Sequence, residues 1–372
     1  MRRALVVLGV IVMSAIAGPA LAVPRPDAQG QQPFAASQSQ VPWSRVGTGW
    51  TLASWTRRHR ATETLYLVSS TGRRYAVARM PKSSYPLLWS PDGRRALMGG
   101  DHGLSEVDLR TGRRTAVHLP GGYTEPLTYS RPRGLALIAA VGTTEPGTSY
   151  ITMRLERFGL NGRHQLSYPL RVKGAGTLST SGVVETADGT ELVVGAHHGL
   201  VLLRNDGTLV RRLLPSTRQT CEVVTWWRHD IALASCGGRM WAVPISGAKA
   251  TALSLGPTRK DMFGYVNEWR YSRGRLGLAA NGCGPATLVR FDKRGQGVPI
   301  DVPSPTGRQG KPIYVGHFRD LVTMEFTADS CESEYGTALL AYNARTGHSK
   351  ALLGPGANGG TVTDALPFRT DY

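Results

Sequence analysis

The sequence predicts an all-β fold, a seven-bladed β-propeller of four-stranded antiparallel blades. Three observations carry this expectation. From Val41 onward the chain is a series of short apolar runs broken by Gly-containing turns, with no sustained 3.6-residue apolar period. Seven of those turns share one form: an apolar strand, a small or polar residue, Gly, and a second strand. Their glycines (Gly72, Gly112, Gly162, Gly207, Gly247, Gly295 and Gly347) fall 40–52 residues apart. One such hairpin is common by chance, whereas seven at near-even spacing mark a repeat. Between them recurs a second hairpin, in which an aromatic residue and Ser precede a tight turn.

The elements follow in order. Residues 1–22 place Arg2 and Arg3 before an apolar run that reaches about Ala17 and end in Ala20-Leu21-Ala22, the pattern of a secretory signal peptide. The run is short for a membrane span, which needs about 20 residues. No cysteine lies near Ala22 to carry a lipid. Residues 23–40, rich in Pro, Gln, Ala and Ser, read as a disordered leader. Residues 41–372 are expected to form one propeller, with units near 41–82, 83–122, 123–173, 174–218, 219–257, 258–305 and 306–358. Trp43-Ser44 reads as the first copy of the aromatic–Ser hairpin. WSPDGRRALMGG at 89–100 is the clearest copy. YSRPRGLALIAA at 129–140 and YSRGRLGLAA at 271–280 nearly repeat one another. ETADGTELVVG at 185–195 keeps Asp-Gly and lacks the aromatic. WWRHDIALASC at 226–236 keeps the aromatic and lacks the glycine. VGHFRDLVTMEF at 315–326 is the most degenerate copy. Pro, Asp and Gly supply the φ angles and local hydrogen bonds of a tight turn. The aromatics Trp43, Trp89, Tyr129, Trp226 and Trp269 read as packing between blades. The tail GTVTDALPFRTDY is expected to add a strand beside the first blade and close the ring.

WSPDGRRALMGG followed by SEVDLRTGRR resembles the repeat of TolB-type propellers, in which Trp-Ser-Pro-Asp-Gly and a following Gly turn recur blade by blade. The chain as a whole resembles exported actinobacterial proteins called TolB-like, whose mature part opens with stretches like VPWSRVGTGW and TLYLV. The resemblance implies a propeller with an exported, non-catalytic binding role and no known ligand. The domain that precedes the propeller in TolB itself has no counterpart before Val41.

The formal net charge is +18, and +16 without residues 1–22. Basic residues are scattered along the chain, often paired at turns, as at Arg73-Arg74 and Arg113-Arg114. No compact basic block or nucleic-acid fold signature accompanies them. A protein or an anionic cell-envelope component is the expected partner, bound by a monomer on the face bearing the disulfides and variable loops. The four cysteines, in a chain read as exported, lead to an expectation of disulfides. Cys236, Cys283 and Cys331 follow the second strands of units five, six and seven. Cys221 begins the inner strand of unit five. If Arg228-His229 form the turn, counting outward sets Cys221 opposite Cys236, within disulfide reach. Cys283–Cys331 follows by remainder.

Little in the sequence points to catalysis. There is no His-Glu-x-x-His, no nucleophile elbow, no phosphate-cradling loop and no complete calcium loop. No cofactor or metal is expected. GGDHGL at 99–104 and GAHHGL at 195–200 occupy the same loop in units two and four, which makes Asp101, His102, His197 and His198 the ligand-binding candidates. TADSCESEYG at 327–336 gathers Asp329, Glu332 and Glu334 near Glu325 and reads as a solvated loop pinned by a disulfide. The expected function is non-enzymatic binding as an interaction scaffold. The alternative is a propeller-fold hydrolase or lyase with its site at the channel mouth. Non-reducing peptide mapping is expected to join Cys221 to Cys236 and Cys283 to Cys331; a Cys236–Cys283 peptide would overturn the pairing.

Overall fold

A blade of a closed ring is buried on both faces, so alternate residues of each strand must suit opposite neighbours. Thr62–Val68 meets that demand: Leu65 and Leu67 pack toward one neighbouring blade, Tyr66 and Val68 toward the other, and all four are fully buried. The computed structural model describes residues 35–57, 60–131, 135–144, 151–214, 218–256, 262–281, 284–303, 311–327, 336–354 and 360–368. They form seven sheets, each with an inner, second, third and outer strand in antiparallel order. In blade two these are Tyr85–Trp89, Arg95–Gly99, Leu104–Asp108 and Arg114–Val117. The fold is a seven-bladed β-propeller.

All seven glycines of the outer hairpins have positive φ, between 70° and 86°. The inner hairpin of blade two shows how its sequence makes the turn. Ser90 Oγ donates to Asp92 Oδ1 at 2.6 Å, the same oxygen accepts from Arg94 N, and Gly93 N donates to Ser90 O. Blade four repeats the pattern with Thr186, Asp188, Gly189 and Thr190. In the aromatic's place it carries Glu185, which is 4% exposed. The Glu185 carboxylate accepts from Ser130 Oγ, Arg131 N and Asn205 Nδ2, and its carbonyl accepts from Trp226 Nε1. One residue thereby ties blades three, four and five.

The first blade differs from its expected form. Its inner strand comes from the other end of the chain: Gly360–Pro367 pairs antiparallel with Thr51–Arg57, followed by Thr62–Val68 and Arg74–Pro81. The tail thus closes the ring as expected, but as the innermost strand of blade one. Trp43-Ser44 is therefore not a copy of the inner hairpin. Trp43–Arg45 forms a short 3-10 turn, with the Arg110 guanidinium 5.5 Å from the Trp43 ring. Phe368, one residue past the closing strand, takes the aromatic's place and meets the Trp89 ring edge-on at 4.9 Å. From the segment read as a leader, Ala36–Ser37 runs parallel to Arg74–Pro81 as an added edge strand. Gln38 Nε2 donates to Val77 O and Leu109 O, bridging blades one and two.

The core lies between blades. Each of the seven gaps holds its own apolar cluster, including the gap closed by the tail, where Val315 and Leu339 of blade seven meet Ala53, Tyr66 and Val362. Cys221 and Cys236 are disulfide-bonded, and they face one another in register across the first two strands of blade five. The expected turn is off by one: Arg228 pairs with Ile231, so His229-Asp230 make the turn. Two register shifts, around Val224 and Trp227, restore the count before it reaches Cys221. Cys283 and Cys331 lie outside the described residues, as do residues 1–34 and most of the acidic loop.

Two carboxyls meet where the closing strand crosses blade seven. Burial, then the charge of Asp364, pushes Glu325 up to about 8, and burial pushes Asp364 up to about 6. Each binds its proton more firmly folded than unfolded. Their contribution to stability is therefore complete below the unfolded carboxylate range and is lost as pH rises through about 6 and then about 8. Urea denaturation should show wild type losing stability relative to Glu325→Gln between about pH 5 and about pH 8.5. A wild type that gained on the variant across that window would refute the assignment.

Candidate functional site

In each blade the inner strand ends at the inner hairpin, so the ends of all inner strands gather at one mouth of the channel. On that mouth lies a cavity of about 420 Å³ between blades five, six, seven and one. Its wall is made by the last residues of Cys221–Arg228, Gly264–Tyr271, Lys311–Phe318 and Gly360–Pro367, with Thr48 and Phe368. The volume falls in the range of about 300–1,000 Å³ usual for small-molecule sites.

Two kinds of side chain dominate the wall. The first is aromatic. Trp269 is 4% exposed and stacks on His317 at 4.4 Å with the planes 8° apart, while Tyr314 lies 5.3 Å from the Trp269 ring. Tyr314 Oη and His317 Nδ1 share a hydrogen bond of 2.7 Å. Trp226, Trp227, Phe318 and Phe368 complete the aromatic surface. The second kind is cationic. Arg228 and Arg270 are exposed at the ends of their strands, and Arg319 follows in the turn of blade seven. Arg319 holds φ at 54°, a left-handed conformation that costs a non-Gly residue roughly 1–2 kcal/mol. Its guanidinium sits 5.1 Å from the Phe318 ring. Glycine would relieve that strain; the chain carries a charge there instead. Asp320, next in the turn, accepts from Ser272 N of blade six at 2.8 Å, and this bond draws its carboxyl below the usual range.

Glu268 is the one acid among the described residues of the wall, and it is 1% exposed. Arg275 Nη1 pairs with its Oε1 and also donates to Leu253 O. Burial pushes Glu268 up to about 7 against the pull of that arginine. Glu268 Oε2 and Trp269 Nε1 are buried without a hydrogen-bond partner among the described residues. The exposed charge on the described wall of this cavity is therefore positive.

The sequence-derived candidates lie at the opposite mouth. Asp101 and His102 are exposed in the loop of blade two. His197 and His198 are exposed in blade four, with their rings 4.4 Å apart and His197 Nδ1 3.2 Å from His198 Nε2. They line a shallow, open cavity of about 610 Å³ with Arg171, Lys173 and Thr177. Among the described residues no hydrogen bond, ion pair or ring contact joins the two pairs. Among the described residues no group of three or more His, Cys, Asp or Glu is set to hold a metal ion. No described helix is long and apolar enough to cross a membrane.

No protein-family model matches the chain, and no curated protein does. Among solved structures the chain is similar to a puromycin-hydrolysing peptidase of Mycobacterium tuberculosis, at 13% identity and a TM-score of 0.47 over 88% of this chain and 56% of that one. It therefore spans a little over half of that peptidase. It is also similar to the dihydro-haem d1 dehydrogenase NirN, at 13% identity and a TM-score of 0.48 over 87% of this chain and 76% of that one. A TolB candidate from Agrobacterium tumefaciens matches at 9% identity and a TM-score of 0.38, over 87% of this chain and all of that one. At these levels the likeness carries no argument about function, and the fold rests on the strand order itself.

Trp226 and Trp269 are expected from the sequence to be packing residues. Both do pack between blades, in the clusters of gaps four–five and six–seven, and both also line the cavity. The signal that was available is the residue beside the recurring aromatic: Arg228 and Arg270 each follow within two positions of a tryptophan. The wall is held by close backbone approach, because a Cβ on Gly316 would lie 2.4 Å from Pro367 Cβ of the closing strand. Gly316→Ala should cost about 1–3 kcal/mol by overpacking, read from the urea midpoint; an unchanged midpoint would show that the contact yields.

Proposed function

We propose that this propeller is an exported binding protein whose site is the arginine-rimmed cavity at the inner-hairpin mouth, and that its ligand is an anionic component of the cell envelope. The charge arrangement carries the reading. Arg228, Arg270 and Arg319 rim the cavity, and the single acid among the described residues of its wall is buried and paired with Arg275. Guanidinium groups suit carboxylate and phosphate, which they grip with several donors at once. The strained Arg319 supports the same reading, since glycine would fit that conformation without strain but would carry no charge. Export is supported by the signal-like residues 1–22 and by the Cys221–Cys236 disulfide, which belongs to an oxidising compartment.

A hydrolase or lyase is the second reading, and the hydrogen-bonded Tyr314–His317 pair is the observation that favours it. A phenol and an imidazole at that distance can pass a proton. Turnover by the intact protein but not by His317→Ala would establish the second reading.

The binding reading is tested by titrating short-chain polyphosphate at low salt. Arg319→Gly should keep or raise the melting temperature while weakening binding, and Arg228→Ala/Arg270→Ala/Arg319→Gly should bind at least about tenfold more weakly. Equal binding by wild type and the triple variant would remove the cavity as the anion site.

A further inference from the structure

We infer that the inner-hairpin mouth as a whole is a docking face for the anionic leaflet of a lipid bilayer. This rests on the proposed anion-binding role and names the surface that presents the anion. The observation lies in the outer hairpins. In a four-stranded antiparallel blade the first and third turns lie at the same end, so the outer hairpins ring the mouth that holds the cavity. Each of the seven carries an exposed cation within three residues of its glycine: Arg73, Arg113, Arg163 and Arg204 in blades one to four, and Lys249, Arg294 and Arg345 in blades five to seven. Among the described residues only Arg345 of these has an ion pair, 3.6 Å from Asp320. In three of the turns an acid, Asp108, Asp206 or Asp292, accepts a backbone N–H of its own turn. In the other four, Ser69, Asn161, Ser246 and Asn343 accept such an N–H and carry no charge. The turn needs an oxygen there, and four blades supply it without a negative charge.

A ring of this kind suits a plane. An extended polymer lying across the mouth crosses some blades and leaves the others unmet, whereas a charged surface meets all seven together. Attraction to an anionic leaflet adds up residue by residue, about fivefold in partition for each Lys or Arg near it. The opposite mouth has cations, Arg60, Lys82, Lys173 and Arg218 among them, but the described loops between second and third strands in blades two, four and five hold none. The contact is one of charge and not of insertion. Phe263 and Tyr123, the most exposed of the large apolar side chains described, lie at the opposite mouth, where the inner strands of blades six and three begin. In this orientation the cavity opens toward the lipid, and Arg228, Arg270 and Arg319 stand nearer the axis of the same face.

The test is sedimentation of the intact protein with vesicles of equal parts phosphatidylglycerol and phosphatidylcholine, or of phosphatidylcholine alone, at low salt. Wild type should bind the anionic vesicles at least about tenfold more tightly than the neutral ones, and about 0.5 M salt should release it. Two variants remove four charges each, all from exposed side chains. Arg73→Gln/Arg113→Gln/Arg163→Gln/Lys249→Gln thins the ring and should bind anionic vesicles at least about thirtyfold more weakly, while short-chain polyphosphate binding in the cavity changes less than about threefold. Arg60→Gln/Lys82→Gln/Lys173→Gln/Arg218→Gln takes the same charge from the opposite mouth and should weaken vesicle binding less than about threefold. If the ring variant does not fold, the pairs Arg73→Gln/Arg163→Gln and Arg113→Gln/Lys249→Gln serve. Equal loss by the two variants would show that net charge and not this face attracts the lipid, and would overturn the inference. So would equal binding to both kinds of vesicle. Ring-dependent binding of long-chain polyphosphate with no vesicle binding would give the face to a soluble polymer and overturn it as well. Short-chain polyphosphate binding in the cavity without vesicle binding would overturn this inference alone. The absence of both would overturn the anion-binding reading with it.

Discussion

The structure depends on ring closure. No blade has a face of its own to show to water, because alternate residues of every central strand are apolar on both sides. The stabilising contacts therefore sit in seven gaps, and each gap needs two blades. A chain with six gaps filled would expose two full apolar faces. The seventh gap is filled by pairing the last strand of the chain with Thr51–Arg57, so that neither blade one nor blade seven is finished without the other end of the sequence. Glu325 and Asp364, two acids with raised proton affinity, lie at that seam.

The same closure builds the cavity. Inner strands converge on the channel axis, and their last residues come together from positions nearly 150 residues apart, Thr225 and Phe368 among them. The recurring aromatic at that end has a packing role in every blade where it is kept. In blade six it turns toward blade seven and joins Tyr314 and His317 in one stack. Blade four shows what happens when it is replaced. Glu185 does the same joining with hydrogen bonds, and the gap is held by charge and polar contacts in place of an aromatic ring. The inner-hairpin mouth is thus where the same residues pack between blades and, in blades five, six, seven and one, line a cavity.

Local chemistry was legible in the sequence, and convergence was not. The seven outer-hairpin glycines could be read because a turn with positive φ needs its residue wherever the strand goes. The Asp-Gly turns of blades two and four could be read for the same reason. The Cys221–Cys236 pair was reached by counting from a turn misplaced by one residue, and two register shifts on the same strand cancelled the error. Trp43 misled because an aromatic followed by Ser occurs there without an inner strand; the strand that belongs to blade one was 300 residues away. The loops with Asp101, His102, His197 and His198 stood out for their composition, yet they share no contact across the ring. The cavity was hidden because no single segment carries it. Arg228, Arg270 and Arg319 look like scattered turn charges until four blades place them around one opening.

The chain order of the closing strand also has a consequence in time. Thr51–Arg57 leaves the ribosome roughly 300 residues before Gly360–Pro367 does, an interval of about 15–60 s at usual rates of synthesis. Until then the first blade has no inner strand and the last has no neighbour beyond it. The middle blades can stack as they emerge, but the circle stays open until the final strand is made. Synthesis of Gly360–Pro367 is thus the event that locks the molecule, and a chain cut short before that strand would carry almost every blade in an open circle.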